Sequence, residues 1–278
     1  MEKQNTIGKP VCFSGIALHT GARAILNMIP APENSGIVFR RIDLPGKPEV
    51  RACANNVTDV RRGTTISEGD GFVVTVEHVM ASLNAFEIDN VLVEMDGAEP
   101  PIGDGSALPY LNMIKEAGIV PQDAEAKYWA PKENIVIENG VTQLILIPHD
   151  KLKITCMISF GGTPLDTQFQ TFEINSGVFE EEIASARTFC LFKELEQLLA
   201  MGLVKGGSLD NAVVIHDGAI ICKDGLRYQD ELVRHKMLDI IGDIYLTGRR
   251  IKAHIIAVKP GHPTNVQMAQ MIIKQMEK

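Results

Sequence analysis

Apolar positions along the chain follow two periods. Short runs at residues 11–13, 24–28, 37–39 and 91–94 predict strands in the first half, and runs at 141–148, 152–159, 168–173 and 251–258 predict strands in the second. Helical spacing takes over elsewhere. Val76, Val79, Met80 and Leu83 predict a helix over 76–86 with Thr75 at its N-cap. "GDGSALPYLNMIKEAG" predicts another, capped by Ser106 and ended by Gly118. Further helices are expected near 191–201, 230–246 and 264–277. Runs of strands followed by helices favour layered α+β over a continuous βαβ series.

The polar stretch 118–135, with two prolines, separates compositionally similar halves. Two units are expected, 1–124 and 125–278, each of ordinary domain size. The 278 residues carry a net charge of −8 with no Lys/Arg tract, which argues against a nucleic-acid partner. The N-terminus lacks an apolar signal core and no 18-residue apolar run exists, so neither secretion nor a membrane span is expected. Five scattered cysteines without a C-x-x-C point to reduced thiols and a cytoplasmic protein.

Chemistry concentrates in four short stretches. In "VRHKMLDIIGD", His235, Asp239 and Asp243 fall at steps of four, a narrow arc of a helix opposite Met237, Ile240, Ile241 and Ile244. Gly242, beside that arc, leaves room for something bulky. Such an arc suits metal ligation if a third ligand arrives from elsewhere, and it equally suits a solvated face with a His–Asp pair. In "TVEHVMASL", Glu77 and His78 point about 100° apart, so they cannot both face the core. A carboxylate base beside an imidazole ligand fits a metal hydrolase, and a glutamate in a first helical turn also fits the helix dipole. In "KPGHPTN", His262 sits on a loop past a strand, with Asp243 as a partner able to orient it and raise its pKa. In "SARTFC", Thr188 offers a hydroxyl to an oxyanion or is a plain edge residue, and Cys190 reads as a buried small residue.

Taken in order, "FSGIALHTG", "GIVFRRIDLPG", "TVEHVMASLNAFEIDNVLVEMDGAEPPIGDGSALPY", "SARTFC", "GGSLDNAVVIHDG", "LRYQDELVRHKMLDIIGDIYLTG" and "KPGHPTN" resemble the UDP-3-O-acyl-N-acetylglucosamine deacetylase family over nearly the whole chain. The resemblance implies two similar α+β domains, each a small sheet with helices, the helices sandwiched between the sheets. It implies a cytoplasmic, monomeric zinc amidase of lipid A biosynthesis acting on an acylated UDP-amino sugar. His78, His235 and Asp239 match the ligands of one zinc ion, with Fe2+ as an alternative metal. Glu77 matches the general base, His262 the acid, Asp243 its support, Thr188 the oxyanion hydroxyl and Lys236 a cation near the substrate. Phe189 matches a substrate contact and His19 a histidine near the site. An apolar passage for the acyl chain is expected around 191–201, with Leu191 and Leu198 facing it. Two departures stand out: Arg61 in "DVRRGTT", and "FGGTPLDTQ" (160–168) without a His-Pro pair. The same ligands would serve a zinc amidohydrolase of another acylated amino sugar, whereas a non-catalytic sugar-nucleotide or acyl-chain binding protein would have no need of Glu77.

Overall fold

The computed structural model describes residues 2–159 and 167–277. Its frame is two five-stranded sheets. In the first, Val11–Ile16, Arg23–Pro30, Val91–Met95, Ile37–Arg41 and Glu49–Arg51 lie side by side in that order. In the second the order is Ile135–Asn139, Thr142–Pro148, Ala253–Val258, Lys153–Ser159 and Thr167–Glu173. In both, the central strand comes last in sequence, antiparallel to one neighbour and parallel to the other. One topology thus recurs in two halves whose sequences show no repeat. The strands form where side chains alternate: Ile154, Cys156 and Ile158 are buried while the residues between them are half-buried, the pattern of a sheet packed on one face.

Among the described residues six α-helices follow in chain order: α1 (Glu77–Ala85), α2 (Leu108–Ala117), the single turn α3 (Ser176–Val178), α4 (Phe192–Ala200), α5 (Glu231–Tyr245) and α6 (His262–Met276). Helices α1, α2, α5 and α6 fill the space between the sheets. Val79, Met80 and Leu83 of α1 join the core of the first half, while Ala81 and Ala85 join that of the second. Conversely Tyr245, Ala269 and Ile273 from the second half complete the first core. The α+β sandwich expected from the family resemblance is the fold observed.

Several local expectations are corrected. Every residue of α5 except Lys236 is buried, so its polar arc is no solvated face; α1 and α6 cover it. Glu77 and His78 are likewise both buried, because α1 has sheet on one side and α5 on the other. The room beside Gly242 is taken by backbone: a Cβ there would lie 2.1 Å from the Glu77 carbonyl oxygen. Glycine therefore lets α1 and α5 touch main chain to main chain. Thr75 does not cap α1. It adopts a φ of 57° and donates its hydroxyl to the buried Glu99 carboxylate, leaving Val76 at the cap position. Ala107, not Ser106, stands at the cap of α2, although the Ser106 hydroxyl still accepts from the Leu108 N–H. His262 is the first residue of α6 rather than a loop residue, with Pro263 suited to the first turn. The stretch 118–135 is no open linker either. Ile119–Glu125 pairs with Lys3–Ile7, and Tyr128–Trp129 pairs with Arg250–Ile251, which satisfies backbone groups a loop would leave to water.

Each half also carries a three-stranded sheet. The first is Val57–Asp59, Thr65–Glu68 and Gly71–Val73; the second is Phe189–Leu191, Val213–His216 and Ala219–Ile221, with α4 beside it. Among the described residues, no helix is long and apolar enough to cross a membrane, and all five cysteines are free thiols.

Candidate active site

The approach of α1 to α5 at Gly242 places the His78 ring 5.1 Å from the His235 ring, centroid to centroid. Ligand atoms of His78, His235 and Asp239 all lie within 4.8 Å of one another, and all three residues are buried. His235 Nδ1 lies 3.0 Å from the Ala186 carbonyl. A carbonyl only accepts, so Nδ1 carries the proton and Nε2 keeps its lone pair, directed at Asp239. Burial, and then the neighbouring His235 ring, push His78 down to about 3, and burial lowers His235 as well. Both rings are therefore neutral at physiological pH. Burial would raise the Asp239 carboxyl, but the charges of Lys236 and His262 outweigh it and hold Asp239 ionised. Among the described residues, three buried side-chain atoms lack a hydrogen-bond partner: His78 Nδ1 and Asp239 Oδ1 in the triad, and Asn265 Oδ1 outside it. Two neutral imidazoles, one carboxylate and two orphaned polar atoms fit a divalent cation of the zinc type.

Beside the triad lies a hydrogen-bonded acid–base group. Glu77 Oε1 is 3.8 Å from His262 Nε2, which is also 3.9 Å from Asp239 Oδ2. His262 Nδ1 donates to Asp243 Oδ2 at 2.9 Å. Burial raises Glu77 to about 7 despite the His262 charge. Burial works against protonated His262, yet Asp243, Asp239 and Glu77 together raise it to about 9. A base near neutrality and an acid above it thus stand side by side, the separation acid–base catalysis requires. Lys236 donates to Asp239 Oδ2 at 2.8 Å and lies 5.4 Å over the Phe189 ring.

Thr188 and Phe189 lead away from the triad, the Phe189 ring 6.1 Å from that of His235. Together they line an apolar cavity of about 300 Å³ with Leu18, Leu195, Leu198 and Val214. A second cavity, about 210 Å³, is lined by Phe189, Leu191, Lys236 and Lys259. Leu198 therefore faces the apolar cavity, as expected of a passage residue, while Leu191 faces the cationic one. Cys190 lines both and is half-buried rather than hidden. His19 borders the apolar cavity as a tether: its N–H donates to Glu99, its ring accepts from the Val204 N–H, and its carbonyl from the Lys205 N–H. Arg61 is exposed and paired with Asp59, and it is Arg62 that reaches both cavities and Glu194. The other sequence departure, 160–168, lies outside the described residues except for Thr167 and Gln168, whose Oε1 accepts from the Val233 N–H of α5. A larger cavity, about 630 Å³, lies elsewhere, by Asn84, Tyr128 and Arg250. It contains none of this chemistry, so donor chemistry rather than size selects the site.

Several supporting residues have no role in the sequence analysis. Arg187 and Glu231, both buried, form an ion pair at 2.8 Å, and the Arg187 N–H donates to the same carboxylate. This pair holds the Ala186 carbonyl against His235 and Thr188 at the cavity mouth. Thr64 and Asn265 donate to Asp243 at 2.6 and 2.9 Å. Arg187, Glu231 and Asn265 all lie inside the quoted motifs "SARTFC", "LRYQDELVRHKMLDIIGDIYLTG" and "KPGHPTN", which is the signal that could have flagged them.

The chain is similar in sequence to known proteins along nearly its whole length. The sequence model of UDP-3-O-acyl N-acetylglycosamine deacetylase (LpxC) matches residues 4–274. A UDP-3-O-acyl-N-acetylglucosamine deacetylase of Citrifermentans bemidjiense is 42% identical over 272 residues, covering 98% of this chain and 89% of that protein. One from Chlamydia felis is 42% identical over 275 residues, covering 99% of this chain and 98% of the relative. The bifunctional enzyme LpxC/FabZ of Porphyromonas gingivalis is 39% identical over 303 residues, and the match spans 65% of that longer protein.

Proposed function

This chain belongs to the UDP-3-O-acyl N-acetylglycosamine deacetylase family, and on that premise we propose which of its residues carry the reaction. The protein is a deacetylase of lipid A biosynthesis that removes the N-acetyl group of a UDP-3-O-acyl-N-acetylglucosamine. We assign His78, His235 and Asp239 as ligands of one catalytic ion and zinc as that ion, a donor set that Fe2+ also suits. When bound, the cation supplies a Lewis acid that acidifies water and polarises the acetyl carbonyl.

The chain's own groups do the rest. Glu77, raised to about 7 by burial, accepts the proton of the attacking water. A nearby divalent charge favours its ionised form, so the base is ready at neutral pH. The Thr188 hydroxyl donates to the oxyanion as the carbonyl becomes tetrahedral. His262, protonated up to about 9 with Asp243 on its Nδ1, gives the Nε2 proton to the leaving sugar amine, so acetate and the free 2-amino sugar nucleotide result. Lys236 neutralises the far oxygen of Asp239 and, with Lys259, offers cations to the diphosphate in the smaller cavity. The apolar cavity between Leu18 and Leu198 receives the acyl chain, each buried methylene contributing about 0.8 kcal/mol. His19 shapes that cavity by tying the 204–206 loop to the first half. We read 1–124 and 125–278 as the two structural units, and the protein as a cytoplasmic monomer.

The observation that carries this reading is the buried His–His–Asp triad with two orphaned polar atoms beside a base raised toward neutrality. The test is turnover of UDP-3-O-acyl-GlcNAc before and after chelation, with zinc or Fe2+ restored, alongside Glu77→Ala. Chelation should abolish turnover, and Glu77→Ala should keep its metal while losing about 10²- to 10⁴-fold in kcat. Full activity of Glu77→Ala, or of the metal-free protein, would remove these assignments.

A further inference from the structure

Thr64, which lies in "DVRRGTT" and has no role assigned above beyond its bond to Asp243, is fully buried between the general base and the acid. Its N–H donates to Glu77 Oε2 at 2.9 Å, and its carbonyl accepts from the Val76 N–H at 3.2 Å. Its hydroxyl donates to Asp243 Oδ1 at 2.6 Å and lies 3.3 Å from His262 Nδ1. The other Asp243 oxygen accepts from His262 Nδ1 and from Asn265 Nδ2, each at 2.9 Å. One residue therefore ties the start of α1 to the interior of α5 and the start of α6.

We propose that Thr64 is a positioning residue that holds base and acid in a single register. The inference rests on the roles given above to Glu77 and His262. The Thr64 amide fixes Glu77 Oε2, which leaves Oε1, the oxygen 3.8 Å from His262 Nε2, for the reacting water. The Thr64 hydroxyl occupies Asp243 Oδ1, so Oδ2 is left to orient His262 with Nε2 toward the reaction. Both bonds run from a neutral donor to a carboxylate in a water-excluded site, the setting in which such bonds are short and strong. The direction is unambiguous, since an ionised carboxylate only accepts. A β-branched residue suits the task because its χ1 is stiff. The preceding residue permits the approach: a Cβ on Gly63 would lie only 3.1 Å from Glu77 Oε1.

Thr64→Val keeps shape and amide and removes the hydroxyl. Its kcat should fall about 10- to 100-fold, the range for losing an outer partner of a catalytic centre, with KM and bound metal as in the parent protein. Thr64→Ser should recover most of kcat. In an Asp243→Asn background the Val substitution should cost nothing further, because the hydroxyl acts through that carboxylate. Metal content and the unfolding midpoint of the metal-free protein provide readouts independent of turnover. If Thr64→Val does not fold, Thr64→Ala takes its place against Ser. Parental kcat in the Val or Ala variant, equal losses in Ser and Val, or multiplying losses with Asp243→Asn would each overturn the proposal. An inactive parent protein would instead overturn the functional reading beneath it.

Discussion

The two halves share one five-strand order but use their extra sheets differently. In the first half, the small sheet Val57–Asp59, Thr65–Glu68 and Gly71–Val73 carries Thr64 into a buried polar network with Glu77, Asp243 and His262. In the second, the sheet Phe189–Leu191, Val213–His216 and Ala219–Ile221, with α4, walls an apolar cavity. The first device acts by direction, since hydrogen bonds to carboxylates fix where lone pairs and protons point. The second offers area, since the acyl chain proposed to lie there would be held by apolar surface removed from water. Damage to the first should therefore appear in kcat and damage to the second in KM. The His78–His235–Asp239 triad belongs to both halves, because α1 supplies His78 and α5 supplies His235 and Asp239.

The largest effect should come from cutting that shared element. His78→Ala and His235→Ala should each lose bound metal and drop activity to background, measured by metal analysis of purified protein. A variant that kept its metal would mean one half alone suffices. Next is the ion pair supporting the cavity mouth. Arg187→Ala leaves Glu231 buried and uncompensated, and should cost about 3–5 kcal/mol in denaturant unfolding. A neutral result would show that the 185–189 segment does not depend on it. Gly242→Ala strikes the seam, where the new methyl meets the Glu77 carbonyl. It should cost about 1–3 kcal/mol and weaken metal binding, whereas unchanged values would mean the halves can separate freely. Leu198→Ala should raise KM about tenfold for a long-chain substrate and leave a short-chain analogue and kcat unaltered, as expected for about 1–2 kcal/mol of lost apolar contact. A change in kcat instead would erase the division between the halves.

The smallest effect is a shift in pH dependence. His262 is raised to about 9, burial opposing and Asp243 leading the increase. Activity that needs its proton should fall as pH rises through about 9. Asp243→Asn removes the leading cause, so that limb should move to lower pH, toward the ordinary histidine range. The acid limb belongs to Glu77 and should lie below 7 once a cation is bound. An alkaline limb that stays in place in Asp243→Asn would assign it to another group.

Much of the site was legible because its spacing is local. The step of four from His235 to Asp239 and Asp243 survives in any α-helix, and the Glu77–His78 pair needs only a helix start. What surrounds them was not legible. Thr64 and Asp243 are 179 residues apart in the chain, and no periodicity encodes a hydrogen bond over that distance. The polar arc of α5 reads as solvent-facing until α1 and α6 cover it, and Gly242 reads as room for a ligand until the Glu77 backbone fills it. Leu191 and Leu198 looked equivalent on an amphipathic segment, yet they face different cavities because a strand ends where α4 begins.

By itself, then, the chain's order of residues determined the strands, the helices, the donor types and their spacing within each helix, since these depend on neighbours a turn or a pleat away. Which face of each helix lost its water, which carboxylate met which hydroxyl and where the two halves brought His78, His235 and Asp239 together were decided only in the tertiary structure. Burial and long-range hydrogen bonds depend on distances in space: burial turns an ordinary glutamate into a base near neutrality, and Asp243, Asp239 and Glu77, against burial, turn an ordinary histidine into an acid above it.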